Sequence, residues 1–400
     1  MTSGGPLSGI TVVELGTVLM VPLAGQILGD LGADVIKVES FEGDPNRQIG
    51  LGPHSELSGP ALNLNRNKRS IAVDLRTAEG HDVLGRITAG ADVFLTNLRP
   101  SALRKLRVGY EDVRAWQPAI VYCRSHGYRG DTPEADDPAY DDVIQAASGL
   151  ASLSERVTGE PGLLPTVLAD KVCGLTIVYA VLAALFERTR TGAGQEVEVP
   201  MFDTMVAFTL VEHLSGATSR PPLGKPGYDR VLTPHRRPHR TEDGWIVIMP
   251  YSARDWDRLW SRLGREEHRA ALDGRSEREV KQMAPSMYAW LDQELPAHST
   301  AHWLEVCASL DIAAAPVNDL EEVISGPGRA RGVVTSARHP VAGDYLRIAM
   351  PVGFDSPCQV RHEAPLIGED TWEILAEAGI SGPDAEKLIA LGAVRAQRGG

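Results

Sequence analysis

An alternation of short β-branched runs with apolar helical stretches sets the architecture of the first half of this chain. Ile10-Thr11-Val12-Val13-Glu14-Leu15 reads as a buried strand. Pro22 to Leu31 reads as a helix that opens on Pro and is closed by Gly32, and Asp34 to Glu39 as a second strand. The unit repeats, with Ser70 to Asp74 as strand, Thr77 to Ala89 as helix and Asp92 to Thr96 as strand. A strand over Ala119 to Arg124 follows two short helical turns, and Gln195 to Val199 closes the series. Strands joined by helical crossovers make a parallel sheet with helices on both faces, so the expected fold class is α/β.

Ligands of such sheets bind at the carboxyl ends of the strands. Those ends carry Thr17 to Met20, Glu39 to Arg47, Asp74 to Arg76, Asn97 to Arg99 and Ser125 to Tyr128. No G-x-G-x-x-G follows the first strand, because Gly16 and Gly25 are nine apart with bulky residues between. A nicotinamide or flavin cofactor is therefore not expected. The chain also lacks the P-loop and G-x-S-x-G motifs of NTPases and serine hydrolases.

Leu164 to Lys171 introduces the longest apolar run, Val172 to Phe186, in which only Thr176 and Tyr179 carry a polar side-chain atom. The run is expected as a buried helix, shorter than the roughly 20 residues that a bilayer requires. Asp170 stands where that helix begins. Two readings of it are open: an N-cap that accepts orphan amide hydrogens, or a carboxylate at the positive end of a helix, available to attack an electrophile.

Basic residues number 40 against 53 acidic, a net charge of −13. That argues against a nucleic-acid binder and against attraction to anionic membranes. Cys123, Cys173, Cys307 and Cys358 are far apart and form no C-x-x-C pair, so reduced thiols are expected rather than disulfides or a metal site. Met1 to Gly5 lacks a basic region followed by an apolar one, which leaves the cytoplasm as the expected compartment.

In the second half, Ser215 to Arg230 is rich in Pro and Gly and reads as a linker. Trp245 to Met249 follows as a strand, then helices over Ala253 to Leu263, Glu277 to Leu295 and Thr300 to Leu310, and a return strand at Ala313 to Val317. Two short helices are expected in the tail from His362 onward.

Several stretches, in order and at consistent spacing, together resemble one family. They are Pro6 to Ile10, Gly29 to Glu39, Gly43-Asp44-Pro45-Asn46-Arg47, Asn67 to Leu75, Ala91-Asp92-Val93 with Asn97 and Pro100, Tyr140-Asp141 to Gln145-Ala146 with Ser148-Gly149, Arg190 to Gln195, and Ala364 to Glu369. They resemble the family III CoA-transferases (the CaiB/BaiF family), relatives of formyl-CoA and carnitine CoA-transferases and of α-methylacyl-CoA racemase. The resemblance implies a Rossmann-like large domain with a parallel sheet, built from both ends of the chain, and a smaller α+β domain from its middle. It places residues 1–214 in the large domain, 215–230 in a linker, 231–318 in the small domain, 319–335 in a second linker, and 336–400 back in the large domain. It also implies a homodimer of interlocked rings, with no nucleic-acid or membrane partner.

The transferases of this family carry an Asp nucleophile, and it aligns with Asp170. The reaction implied is transfer of CoA from an acyl-CoA to a carboxylic acid through an aspartyl anhydride and an aspartyl-CoA thioester, with no metal and no permanently bound cofactor. CoA contacts carried over by the resemblance are Val18 and Leu19, Val73, Asp74, Leu75 and Arg76, Asn97, Leu98 and Arg99, Lys105, His126 and Tyr140. Arg76, Arg99 and Lys105 suit the phosphates of CoA. An Arg often found in the family after Val38-Glu39 is Ser40 here, for which Lys37 or Arg47 is expected to compensate.

Racemases of the family pair an Asp with a His that aligns with Ala139, and without that imidazole a two-base mechanism lacks one base. Transferase is therefore the expected branch. No glycine-rich loop of the formate- and oxalate-using members is present. Thr233 to Arg240 stands in its place, and its His235, Arg236 and Arg237 are expected to bind the distal carboxylate of a dicarboxylic acid, with succinyl-CoA or a similar short dicarboxylyl-CoA as donor. Alternatives are intramolecular CoA transfer, a racemase or epimerase reaction, and a non-catalytic CoA-binding paralogue.

Overall fold

The computed structural model describes residues 4–355 and 358–397. Twelve strands run through them: β1 (Thr11–Leu15), β2 (Asp34–Glu39), β3 (Lys68–Val73), β4 (Val93–Thr96), β5 (Val121–Arg124), β6 (Gln195–Glu198), β7 (His239–Arg240), β8 (Trp245–Met249), β9 (Ala313–Pro316), β10 (Val334–His339), β11 (Gly343–Ile348) and β12 (Val394–Arg395). By compactness the chain forms two units. The larger comprises Met1–Leu150, Leu163–Thr209 and Arg329–Gly400; the smaller comprises Ala151–Gly162 and Leu210–Gly328.

The larger unit holds a seven-stranded sheet in the order β12-β3-β2-β1-β4-β5-β6. The first six strands in sequence run parallel, and only β12 is antiparallel, against β3. A parallel order 3-2-1-4-5-6 is that of a Rossmann-type sheet, and the order reverses at β1, between β2 and β4. Successive side chains of a strand face opposite ways, so Val12, Val35 and Leu95 enter one core while Val13, Ile36 and Phe94 enter the other. The first core includes the buried sides of the helices Met20–Asp30 and Leu168–Thr191, and the second those of Ala78–Ala89 and Thr371–Glu377. Thr77 starts the helix Ala78–Ala89 by accepting the Gly80 N–H at 3.0 Å. The C-terminal segment thus belongs to the same sheet as the N-terminus.

In the smaller unit, β7, β8 and β9 form an antiparallel sheet, in which β9 is the expected return strand. Its core is aromatic, with Trp256, Trp260 and Trp303 fully buried beside Ile246 and Leu291. Residues 151–162 and 210–214, assigned above to the large domain, belong to this unit, and 319–335, assigned to a linker, contains the helix Leu320–Ser325. The stretch Glu277 to Leu295 breaks at Met283 into the helices Glu277–Gln282 and Ala284–Glu294. Sequence patterning missed β12 and the β10–β11 hairpin, which are too short or too polar to show a clear apolar period.

The long apolar helix differs most from expectation. It runs Leu168–Thr191, 24 residues, with a window of mean hydropathy 1.8, so by length and composition it is long enough to cross a membrane. The expectation of a short, wholly buried helix is corrected in both respects. Cys173, Ile177, Val181 and Ala184 are buried in the core, whereas Leu175, Tyr179 and Phe186 on the opposite side are exposed. An apolar run gives no period from which to tell which side is covered.

Candidate active site

Asp170 is the third residue of this helix, and the cap position is Val167, whose side chain offers no acceptor. The N-cap reading is therefore wrong. The Asp170 backbone N–H donates to Asp141 Oδ1 at 3.0 Å. Asp141 itself is buried and opens the helix Asp141–Ala147. One turn on, Gln145 donates to Asp141 Oδ2 at 2.6 Å and to the Thr166 carbonyl at 3.2 Å, and accepts the Leu164 N–H at 2.9 Å. Two side chains of one short helix thus pin the turn that delivers Asp170. Asp170 is half-buried. Burial, with the Asp141 carboxylate nearby, pushes its pKa up to about 6. Among the described residues no hydrogen bond to its carboxylate offsets that burial. It is a carboxylate destabilised in place, and at pH 7 still ionised.

A cavity of about 360 Å³ lies at the carboxyl ends of β1, β2, β3 and β4, across the point where the strand order reverses. Gly16 and Thr17 enter its wall after β1, Ser40 to Asp44 after β2, Val73 to Arg76 after β3, and Leu98 after β4. From Thr17 the chain passes through Val18 and Leu19 into the helix Met20–Asp30. The Met20 carbonyl lies against Gly174, one turn beyond Asp170, where a Cβ would sit 2.9 Å from that oxygen. Three residues therefore connect the cavity wall to the helix that carries Asp170.

Val18 holds φ at 69°, a left-handed conformation that a β-branched residue rarely adopts. Its N–H donates to Asp44 Oδ1 at 2.8 Å, and Asp44 Oδ2 accepts Lys37 Nζ at 2.7 Å. Lys37 also reaches Glu14 at 2.9 Å and the Gly16 carbonyl at 3.1 Å. Burial lowers the Lys37 pKa, but Glu14, Asp44 and Glu39 more than offset it, and the net direction is upward. Glu14 also meets Lys68, whose pKa burial pulls down to about 8. This fully buried network fixes the loops on both sides of the cavity.

The remaining predicted contacts sort into three groups. Val73, Asp74, Leu75, Arg76 and Leu98 come together in the cavity wall, where Arg76 and Asp74 form an exposed bidentate pair. Asn97 adjoins it but is engaged on Thr17, accepting its N–H at 2.9 Å and donating to its carbonyl at 2.8 Å. Val18, Leu19, Arg99, Lys105, His126 and Tyr140 are not among the cavity's walls. Arg99 bonds the Asp136 carbonyl at 3.2 Å, Lys105 is exposed, and Tyr140 projects from the residue before Asp141 at 72% exposure.

His126, expected in a CoA-binding loop, is buried rather than exposed. It lies at the end of β5, both ring nitrogens lack a hydrogen-bond partner among the described residues, and burial together with Arg124 lowers its pKa. Neither Lys37 nor Arg47 can stand in for the Arg missing at Ser40. Both are fully buried, Lys37 in the network above and Arg47 on Glu39 and the Pro365 carbonyl. The loop from Ser40 to Gly43, part of the strand end Glu39 to Arg47 expected to face ligand, does line the cavity.

The basic cluster belongs to the smaller unit and does not act as one patch. Arg237 pairs with Asp292 at 3.1 Å, and His239 meets the same carboxylate at 2.6 Å. His235 is half-buried, whereas Arg236 lines a separate cavity and makes no ion pair among the described residues. The four cysteines are free, three of them buried, and no group of metal-ligating side chains forms among the described residues.

The model of CoA-transferase family III matches residues 7–371. The chain belongs to that family. A succinate–glutarate CoA-transferase of Agrobacterium fabrum is 31% identical over 388 residues, covering 93% of this chain and 95% of its own. A probable fatty acyl-CoA transferase of Mycobacterium tuberculosis is 32% identical over 362 residues, covering 84% and 91%. A CaiB/BaiF family protein from Brucella suis superposes with a TM-score of 0.80 at 30% identity, over 94% of this chain and 100% of that one. The family III chain described here is thus a CoA-transferase with the family's mixed α/β fold.

Proposed function

We propose that Asp170 is the nucleophile of this CoA-transferase, moving CoA from succinyl-CoA or a similar short dicarboxylyl-CoA to a carboxylic acid. The observation that carries the reading is the Asp170 carboxylate, half-buried in the first turn of a helix with a pKa of about 6 and no hydrogen bond to quench it. One Asp170 oxygen attacks the thioester carbonyl, the C–S bond breaks, and CoA leaves as a thiolate with a mixed anhydride on the enzyme. The thiolate attacks the aspartyl carbonyl, expels the donor carboxylate and leaves an aspartyl-CoA thioester. The acceptor carboxylate then repeats the two steps in reverse order and departs as its own CoA ester. Exclusion of water conserves the thioester, and held geometry compensates for the modest nucleophilicity of a carboxylate.

The strand-end cavity, with Val73 to Arg76 and Leu98 in its wall, takes CoA in this reading, and Val18 and Leu19 lead from it toward Asp170. No metal or further cofactor enters the steps. Ala139, where the racemases carry His, supplies no base, which favours transfer. The exposed Leu175, Tyr179 and Phe186 favour a homodimer that covers them, and sedimentation of a monomer at micromolar concentration would count against it. Arg236, unlike Arg237, makes no ion pair among the described residues.

Incubation with succinyl-CoA and a panel of carboxylic acids, followed by mass spectrometry, tests the whole reading. New CoA esters are expected from the wild type and none from Asp170→Ala. Equal turnover by the two would remove Asp170 from the mechanism.

A further inference from the structure

The smaller unit contains a cavity of about 800 Å³, more than twice the volume of that at the strand ends. Its floor is apolar, built from Met249, Val280, Trp256 and Tyr288, the last two packed edge to face at 5.2 Å. Around it stand Arg230, Arg236, Arg278 and Lys281. None of these four cations makes an ion pair among the described residues, although most arginines of the chain outside this cavity are so paired. The wall also holds two acids, Glu277, engaged as acceptor of the Ala253 N–H, and Asp229, so the cations outnumber the carboxylates by two. Arg230 is stacked at 3.9 Å over the Tyr251 ring and Lys281 lies 5.5 Å from the same ring. The Tyr288 hydroxyl has only the Met249 sulfur within reach, at 3.6 Å. Arg236 and Arg230 act on that hydroxyl, partly countering the rise in its pKa that burial causes.

Unpaired cations around an apolar, aromatic floor match an anion with an apolar body. A short dicarboxylate offers two charged ends and little for Trp256 and Tyr288 to cover, whereas inorganic phosphate offers nothing. We propose that this cavity binds an amphipathic organic acid, its carboxylate on Arg230, Arg236 and Lys281 and its aliphatic or aromatic body on the Tyr288 and Trp256 floor. The inference gives Arg236 an acid with an apolar body in place of the short dicarboxylate expected from the sequence, and is independent of chemistry at Asp170.

Titration calorimetry on the full chain tests it, with phenylacetate as probe against phenylacetamide, succinate and inorganic sulfate. Saturable binding of phenylacetate is expected, with the amide, succinate and sulfate at least tenfold weaker. Arg230→Gln/Lys281→Gln is expected to weaken phenylacetate at least tenfold, while Lys281→Arg retains it; both sites are at the rim, so folding is checked by an unchanged melting temperature. Asp170→Asn is expected to bind phenylacetate as the wild type does. No saturable binding, undiminished binding in the double variant, or sulfate binding as tightly as phenylacetate would each overturn the proposal. CoA transfer retained by Asp170→Asn, with phenylacetate binding intact, would overturn the reading of Asp170 and leave this one standing.

Discussion

Asp170 is held in a form that costs the fold stability, because its ionised state is penalised by burial and by Asp141. The sign of the consequence follows from linkage: a carboxyl whose folded pKa lies above its unfolded one binds protons more readily in the fold. Asp170→Asn is therefore expected to melt at a higher temperature than the wild type above pH 6. That gain, on the order of 2 kcal/mol, shrinks between pH 6 and 4 and vanishes below 4. Transfer activity should fall with pH over the same range, losing half its rate near pH 6 as the carboxylate protonates. A flat profile from pH 5 to 8 would contradict the nucleophile role. Asp44 offers a second check: Asp44→Ala releases the strained Val18 N–H and removes one of the two carboxylates that Lys37 meets. It is expected to raise the Michaelis constant for CoA esters about tenfold or more and to lower the melting temperature. Asp170 was legible because an acidic residue before a long apolar run is conspicuous and a resemblance gave it a role. His126 and Lys37 were not, since a side chain's burial depends on elements distant in sequence.

At the scale of elements, the parallel strands were legible almost to the residue, because runs such as Val12-Val13, Val35-Ile36 and Val93-Phe94-Leu95 are apolar where both faces are covered. The tips of helices and the short strands were not. The helix Leu168–Thr191 shows why: composition revealed its apolar character but not which side packs. Glycines set how closely the elements approach. A Cβ on Gly25, in the helix Met20–Asp30, would lie 1.8 Å from Glu14 Oε2, an oxygen of the fully buried network. Gly25→Ala is therefore expected to destabilise the larger unit by roughly 2–3 kcal/mol, measurable by denaturant unfolding. A neutral result would mean that the network can shift without loss.

At the scale of the molecule, the resemblance anticipated a large body made from both ends of the chain, and the sheet shows it: β12 pairs with β3 across more than 300 residues of sequence. No local pattern could have announced a two-residue strand, Val394–Arg395, so far from its partner. Its hold is wider than the ladder, since the Ala393 carbonyl accepts the Asp74 N–H at 2.9 Å and the Arg395 carbonyl accepts the Thr371 hydroxyl at 2.9 Å. Removing residues 391–400 is expected to leave much of the expressed protein insoluble, read from the ratio of pellet to supernatant. On the ribosome, β3 emerges early but gains its outer neighbour only more than 300 residues later, after some tens of seconds at about 5–20 residues per second. Throughout that interval its backbone is an open edge, able to pair with another nascent chain. Cells that make this protein must therefore shield its edge for longer than a sheet closed from within would require, and a late nonsense codon would release it unshielded.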